Sequence, residues 1–141
     1  MQLFVIRHAT AVPHGSRTPD AARPLTSRGR RRWKRAVCGL ERLGIAFDRL
    51  YHSPWLRAVE TADALADLVH GETVVTRELA CRPTPALLEH LEGHRIALVG
   101  HQPWLGELVG LLVFGDARDG ARLTLRRGPS CGSRAKRAQA A

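Results

Sequence analysis

At 141 residues the chain has room for one core of ordinary size, and its 44% hydrophobic and 25% charged residues are the balance of a globular protein. That composition excludes collagen-like, mucin-like and wholly disordered chains. No apolar run approaches the ~20 residues that span a bilayer. The first one, Leu3 to Ile6, meets Arg7 and His8 at once, so no signal-peptide core is expected and the cytoplasm is the expected location. Cys38, Cys81 and Cys131 form no C-x-x-C pair and are expected to be free thiols in buried or loop positions. The net charge is +9, from 22 Lys and Arg against 13 Asp and Glu. Most of it sits in two acid-free stretches, Arg28 to Arg35 and the tail after Leu125. Such a charge suits an anionic substrate or an acidic partner and points only weakly to nucleic acid.

Short apolar runs alternate with longer helical patterns, the grammar of an α/β sheet. Leu3 to Ile6 is continuous, as expected of a strand covered on both faces. Residues 9–24 hold Pro13, Gly15, Pro19 and Pro24 and are expected to be a loop. Trp33, Ala36, Val37, Leu40 and Leu43 then recur at helical spacing, with Gly44 as the stop and the arginines of this segment on the solvated face. Arg49 to His52 is a short strand candidate. Ser53-Pro54 supplies an N-cap and first-turn proline for a helix buried along Val59, Ala62, Leu65, Ala66 and Val69. Glu72 to Thr76 is a strand candidate and Pro85 to Leu91 a short helix. Ile96 to Val99 is the second clear buried strand, closed by Gly100. Pro103 opens a helix with Leu105, Leu108, Val109 and Leu112 as its stripe, and Ala121 to Leu125 is a candidate last strand. Residues 1–127 are expected to form the domain and 128–141 a basic, disordered tail.

Two strands end alike, Leu3 to Ile6 in Arg7-His8 and Ile96 to Val99 in Gly100-His101-Gln102-Pro103. Open α/β sheets bind ligands beyond the carboxyl ends of their strands, which puts both histidines at the expected edge. A third junction, after His52, sets Arg57 near a helix start, where free N–H groups and a positive dipole end favour anions. Imidazoles, guanidiniums and helix N-termini together suit a dianionic tetrahedral group such as phosphate. Phosphoryl transfer is served by fixed cations that hold equatorial oxygens, and arginine grips two oxygens at once. A neutral imidazole is also a competent nucleophile. Spacing alone does not say which histidine attacks, and leaves open that Arg7 pairs with an acid or that either histidine is a turn residue.

Phe4-Val5-Ile6-Arg7-His8-Ala9 resembles the R-H-G motif of the histidine phosphatase superfamily, the phosphoglycerate mutase-like fold. Arg23-Pro24-Leu25-Thr26 with Gly29, Ser53 to Ala58 with Glu60-Thr61-Ala62, and Val99 to Pro103 follow in the family's order. The size and the R-P-L-T segment are most similar to bacterial phosphohistidine phosphatases of the SixA type. The resemblance implies a three-layer, open, mostly parallel sheet with helices on both faces. It also implies a metal-independent reaction without cofactor, in which His8 is the nucleophile and Arg7, Arg57 and His101 form the phosphate pocket. Ala9 stands where the family usually has Gly, and relatives continue into a further strand where this chain turns to Gly-Pro-Ser after Arg127.

The remaining candidates carry less. Larger relatives place a Glu near the leaving group, and Glu78 falls in about that region, as general acid or as a surface carboxylate. Arg23 and His52 are candidates for the pocket rim, and the tryptophans are expected in the core. The expected substrate is phosphohistidine on a phosphorylated protein, a histidine-phosphotransfer domain being one such partner. A small phosphoester or nucleotide-type substrate is the alternative. An inert basic adaptor for nucleic acid or an acidic protein is the alternative from another class, although the basic runs lack aromatics for base stacking. Few insertions separate the motifs, leaving little material for a lid over a small molecule.

Overall fold

The computed structural model describes residues 1–15 and 17–126. The basic tail expected over 128–141 and Cys131 lie outside the described residues. Four strands, β1 (Gln2–Arg7), β2 (Arg49–His52), β3 (Thr73–Val75) and β4 (Arg95–Gly100), form one sheet in the order β1-β4-β2-β3, with every neighbouring pair parallel. Val5 lies opposite Leu98, and Leu98 opposite Tyr51. The α-helices of the described residues are α1 (Ser27–Arg42), α2 (Leu56–Asp63), α3 (Pro85–Glu89) and α4 (Trp104–Phe114).

Side chains alternate across a strand, so β1, β2 and β4 each feed two cores. Ala97 and Val99 of β4, Leu50 of β2, and Phe4 and Ile6 of β1 pack with Trp33, Ala58, Ala62 and Leu65 beneath α1 and α2. Ile96 and Leu98, Tyr51, and Leu3 and Val5 face the other way, onto Leu87, Leu105 and Leu108 of α3 and α4. Helices therefore cover both faces, the three-layer arrangement that the sequence resemblance implies.

Several sequence expectations need correction. Among the described residues β1 is an edge strand and only half-buried, whereas β4 is central and buried from Ile96 to Gly100. Helix α2 starts at Leu56 rather than at Pro54, because the Ser53 hydroxyl accepts from the Trp55 N–H and faces a histidine ring instead of capping a longer helix. Its buried side is Arg57, Ala58, Thr61 and Ala62, and the chain beyond tightens into a 3-10 turn at Ala66–Leu68 that leaves Ala66 exposed. In α4, Leu112 is exposed, while Gly106 and Gly110 face inward.

No strand forms over Ala121 to Leu125. Residues Ala117–Arg122 coil into a 3-10 helix against α4, so close that a Cβ on Gly120 would lie 1.9 Å from the Gly106 carbonyl oxygen. The carbonyls that follow are taken by side chains rather than by a strand ladder. Gln102 Nε2 donates to Leu123 O at 3.0 Å and Arg7 Nη1 to Leu125 O at 2.9 Å. The arginines and lysine of residues 28–35 are exposed on α1, and Arg30 pairs with Glu60. Cys38 is exposed on the same helix rather than buried, and Cys81 is exposed in a loop. No helix among the described residues is long and apolar enough to cross a membrane.

Candidate active site

Parallel pairing aligns the carboxyl ends of β1, β4 and β2, so the residues just beyond them meet. Arg7 is opposite Gly100, and His8 N–H donates to the Gly100 carbonyl at 3.1 Å. His8 and His101 thus leave adjacent strands side by side, their ring centroids 5.2 Å apart. Arg57, on the first turn of α2, completes the group. A cavity of about 370 Å³ opens among Arg7, His8, Arg57, His101, Trp55 and Trp104, with Arg23, Asp20, His14 and Gln102 also on its wall.

The His8 ring has a defined tautomer. Nδ1 lies 2.7 Å from the Ala9 carbonyl, which can only accept, so Nδ1 carries the proton. The lone pair is then on Nε2, where Arg57 Nε donates to it at 3.2 Å. Ala9 is fixed in turn, its N–H donating to Thr61 Oγ1 at 3.0 Å while the Thr61 hydroxyl donates to the Arg57 carbonyl at 2.6 Å. Among the described residues no non-glycine residue has positive φ, so Ala9 fits here without the strain a left-handed backbone would impose. Glycine is required instead at Gly29, where a Cβ would stand 2.1 Å from the Thr10 carbonyl oxygen. That close approach seats the N-terminus of α1 on the loop after β1, through Thr26 N–H to Thr10 O at 3.0 Å.

His101 is 2% exposed, with Nε2 2.7 Å from the Ser53 hydroxyl and its ring 4.5 Å from the Trp55 ring. Burial, then the neighbouring Arg57 and His8, push its pKa down to about 3, so it is neutral at pH 7. Arg57 is 3% exposed, its guanidinium carbon 4.5 Å over the Trp55 ring, a cation–π stack that fixes the plane of the group.

Of the sequence-predicted residues, Arg7, His8, Arg57, His101 and Arg23 line this cavity; Glu78 and His52 do not. Glu78 sits on the 3-10 turn Arg77–Ala80 with its carboxylate 3.4 Å from His90 Nδ1 and from the Thr76 hydroxyl. His52 is buried, with Nδ1 2.9 Å from the Ser53 carbonyl. Sequence reasoning missed Asp20, Ser53 and Thr61, whose side chains meet the others only through the fold. It also put Trp55 and Trp104 in the core, where only Trp33 belongs. Trp33 Nε1 donates to the buried Thr61 carbonyl at 2.8 Å, whereas the other two tryptophans wall the cavity. Proximity to the Arg57 and His101 motifs was the signal that could have found them. No cluster of three or more potential metal ligands occurs among the described residues.

Three guanidiniums and three imidazoles thus border the cavity. A lone pair aimed into such a space can attack an electrophilic phosphorus whose oxygens the cations hold.

The family model of the histidine phosphatase superfamily (branch 1) matches residues 3–82. An uncharacterized protein of a Picosynechococcus species is 36% identical over 142 residues, covering 95% of this chain and 85% of its own. The solved structure of the protein histidine phosphatase SixA with tungstate superposes with a TM-score of 0.66 at 28% identity, over 79% of this chain and 76% of that one. A putative alpha-ribazole-5'-P phosphatase of Escherichia coli, at 20% identity and TM-score 0.67 over 84% of this chain and 82% of that one, shares the fold.

Proposed function

Because the chain belongs to the histidine phosphatase superfamily and is a phosphatase of that family, we propose that it removes phosphate from phosphohistidine on a protein through a phospho-His8 intermediate. The observation that carries this reading is the His8 tautomer: Nδ1–H is spent on the Ala9 carbonyl and the Nε2 lone pair faces Arg57 and the cavity. Arg57 and Arg7 hold the non-bridging oxygens, and neutral His101 supports the group without a competing charge.

The His8 Nε2 pair forms a bond to phosphorus while the bond to the leaving nitrogen breaks on the opposite side. The departing imidazole takes that electron pair and leaves neutral when its other nitrogen bears a proton. Water then attacks the phosphorus of phospho-His8, which frees inorganic phosphate and returns the pair to Nε2. Among the described residues the one carboxylate on the cavity wall is Asp20. Burial tends to raise its pKa, but His14, Arg23 and Arg57 outweigh this and hold it down at about 2, so it is ionised and unfit to donate a proton. Glu78, the donor expected from the sequence, faces His90 instead. A wall without a protonated carboxylate suits an imidazole leaving group better than an alkoxide, which must be protonated as it departs. The substrate of the SixA relative, named a protein histidine phosphatase, supports the same choice. The cytoplasm is the compartment that fits this reading.

Acid-quenched and base-quenched labelling tests it, with a histidine-phosphorylated protein and a panel of small phosphoesters as donors. An acid-labile, base-stable label is expected on wild type and absent from His8→Ala, with the phosphohistidine donor turned over fastest. Steady turnover without label, or turnover retained by His8→Ala, overturns the mechanism. Faster turnover of a small phosphoester overturns the substrate class.

A further inference from the structure

Arg57 has two hydrogen-bonding edges, an outer fork formed by Nη1 and Nη2 and an inner edge carrying Nε. Asp20 meets both ends of the outer fork. Nη1 donates to the Asp20 carbonyl at 2.6 Å and Nη2 to Asp20 Oδ2 at 3.2 Å. The inner edge faces His8, with Nε 3.2 Å from His8 Nε2. Stacking on Trp55 fixes the guanidinium plane but leaves rotation within that plane unrestrained. The grip on the outer fork, together with the Nε contact to His8, restrains it.

Asp20 is itself held. Arg23 meets Oδ1 through Nε and Nη2, both at 2.6 Å, and donates from Nη1 to the Val12 carbonyl at 2.5 Å; His14 Nδ1 is 3.0 Å from the same carboxylate oxygen. A continuous chain of contacts therefore runs from the loop after β1, through Arg23 and Asp20, to Arg57 and the reactive nitrogen. We propose that Asp20 is the positioning residue of this site, clamping the outer fork of Arg57 through its backbone carbonyl and carboxylate so that the inner edge is presented to a phosphoryl group at His8. This rests on the phosphatase reading with His8 as nucleophile. It also assigns Arg23 to the support of that clamp. The energetic reason is orientation: a donor held in place before reaction loses no freedom in the transition state, and misplacement by about 1 Å costs up to ~10²-fold.

The test combines kinetics, binding of inorganic phosphate and a double-mutant cycle. Asp20→Ala lowers kcat by about tenfold or more while unfolding normally, and weakens inorganic phosphate binding by about tenfold, equivalent to ~1.4 kcal/mol. Asp20→Asn, which keeps the backbone contact and offers Nη2 an amide oxygen, recovers most of the loss. In an Arg57→Lys background, which has no fork to clamp, Asp20→Ala costs less than about twofold, because mutations acting through one group are not additive. An undiminished kcat in Asp20→Ala, tighter phosphate binding (the mark of a carboxylate that competes with substrate), or the full loss persisting beside Arg57→Lys overturns the proposal. A wild type lacking His8-dependent turnover sinks the phosphatase reading alone. Calorimetry with inorganic phosphate still decides the positioning claim in that case, and binding that is absent in wild type or unweakened in Asp20→Ala refutes it.

Discussion

Arg57→Lys separates charge from geometry at the centre of the site. Lysine keeps a positive charge and much of the buried stem, but it replaces a planar fork with a point charge. Arg57 holds together the His8 Nε2 contact at 3.2 Å, both Asp20 contacts and the stack on Trp55 at 4.5 Å. A single ammonium cannot satisfy these directions at once. If the guanidinium is a preorganised donor to the transferring phosphoryl group, its loss costs about 10²–10³-fold in kcat, or ~3–4 kcal/mol of transition-state stabilisation. Rapid-quench measurement of phosphoenzyme formation on a histidine-phosphorylated protein reads this step directly. Circular dichroism and a thermal melt confirm that the variant is folded. Phosphoenzyme formation within about tenfold of wild type would refute the reasoning, because charge alone would then suffice.

Three other perturbations have defined outcomes. His101 is held near pKa 3 in the fold against an ordinary 6.5, so between these values the unfolded chain binds more protons; its contribution to stability is complete above pH 6.5 and is lost as pH falls toward 3, by up to ~1.4 kcal/mol per pH unit. Denaturant midpoints across pH 4–7 should show that slope in wild type and a shallower one in His101→Gln; parallel curves would contradict it. Gly29→Ala forces a Cβ to 2.1 Å from the Thr10 carbonyl and should cost about 2 kcal/mol or more in urea unfolding, through displacement of α1. Thr61→Val leaves the buried Ala9 N–H without its acceptor and should cost ~1–3 kcal/mol of stability. It should also slow phosphoenzyme formation, since Ala9 holds the His8 tautomer, and an unchanged rate would show that His8 does not depend on this support.

The solvated basic face of α1 follows from local pattern alone, since six exposed cations flank a stripe headed by Trp33. Where the periodic signal was weak, side-chain demand overrode it. Ser53 was expected to cap a helix, but it faces His101, and α2 starts later. The last apolar stretch was expected to be a strand, but glycine-to-glycine packing at Gly106, Gly110 and Gly120 coiled the preceding residues, and Arg7 and Gln102 took the carbonyls that followed.

What the chain determines by itself is the ordered placing of short apolar runs, two of them running into a histidine; strand direction then carries Arg7, His8 and His101 to one edge, because parallel pairing makes the carboxyl ends coincide. What only the tertiary structure decided is orientation. The Arg57 contact on Nε2 of His8, the neutrality of His101 and the grip of Asp20 on Arg57 each depend on partners distant in the chain, whose nearness in space no local pattern encodes.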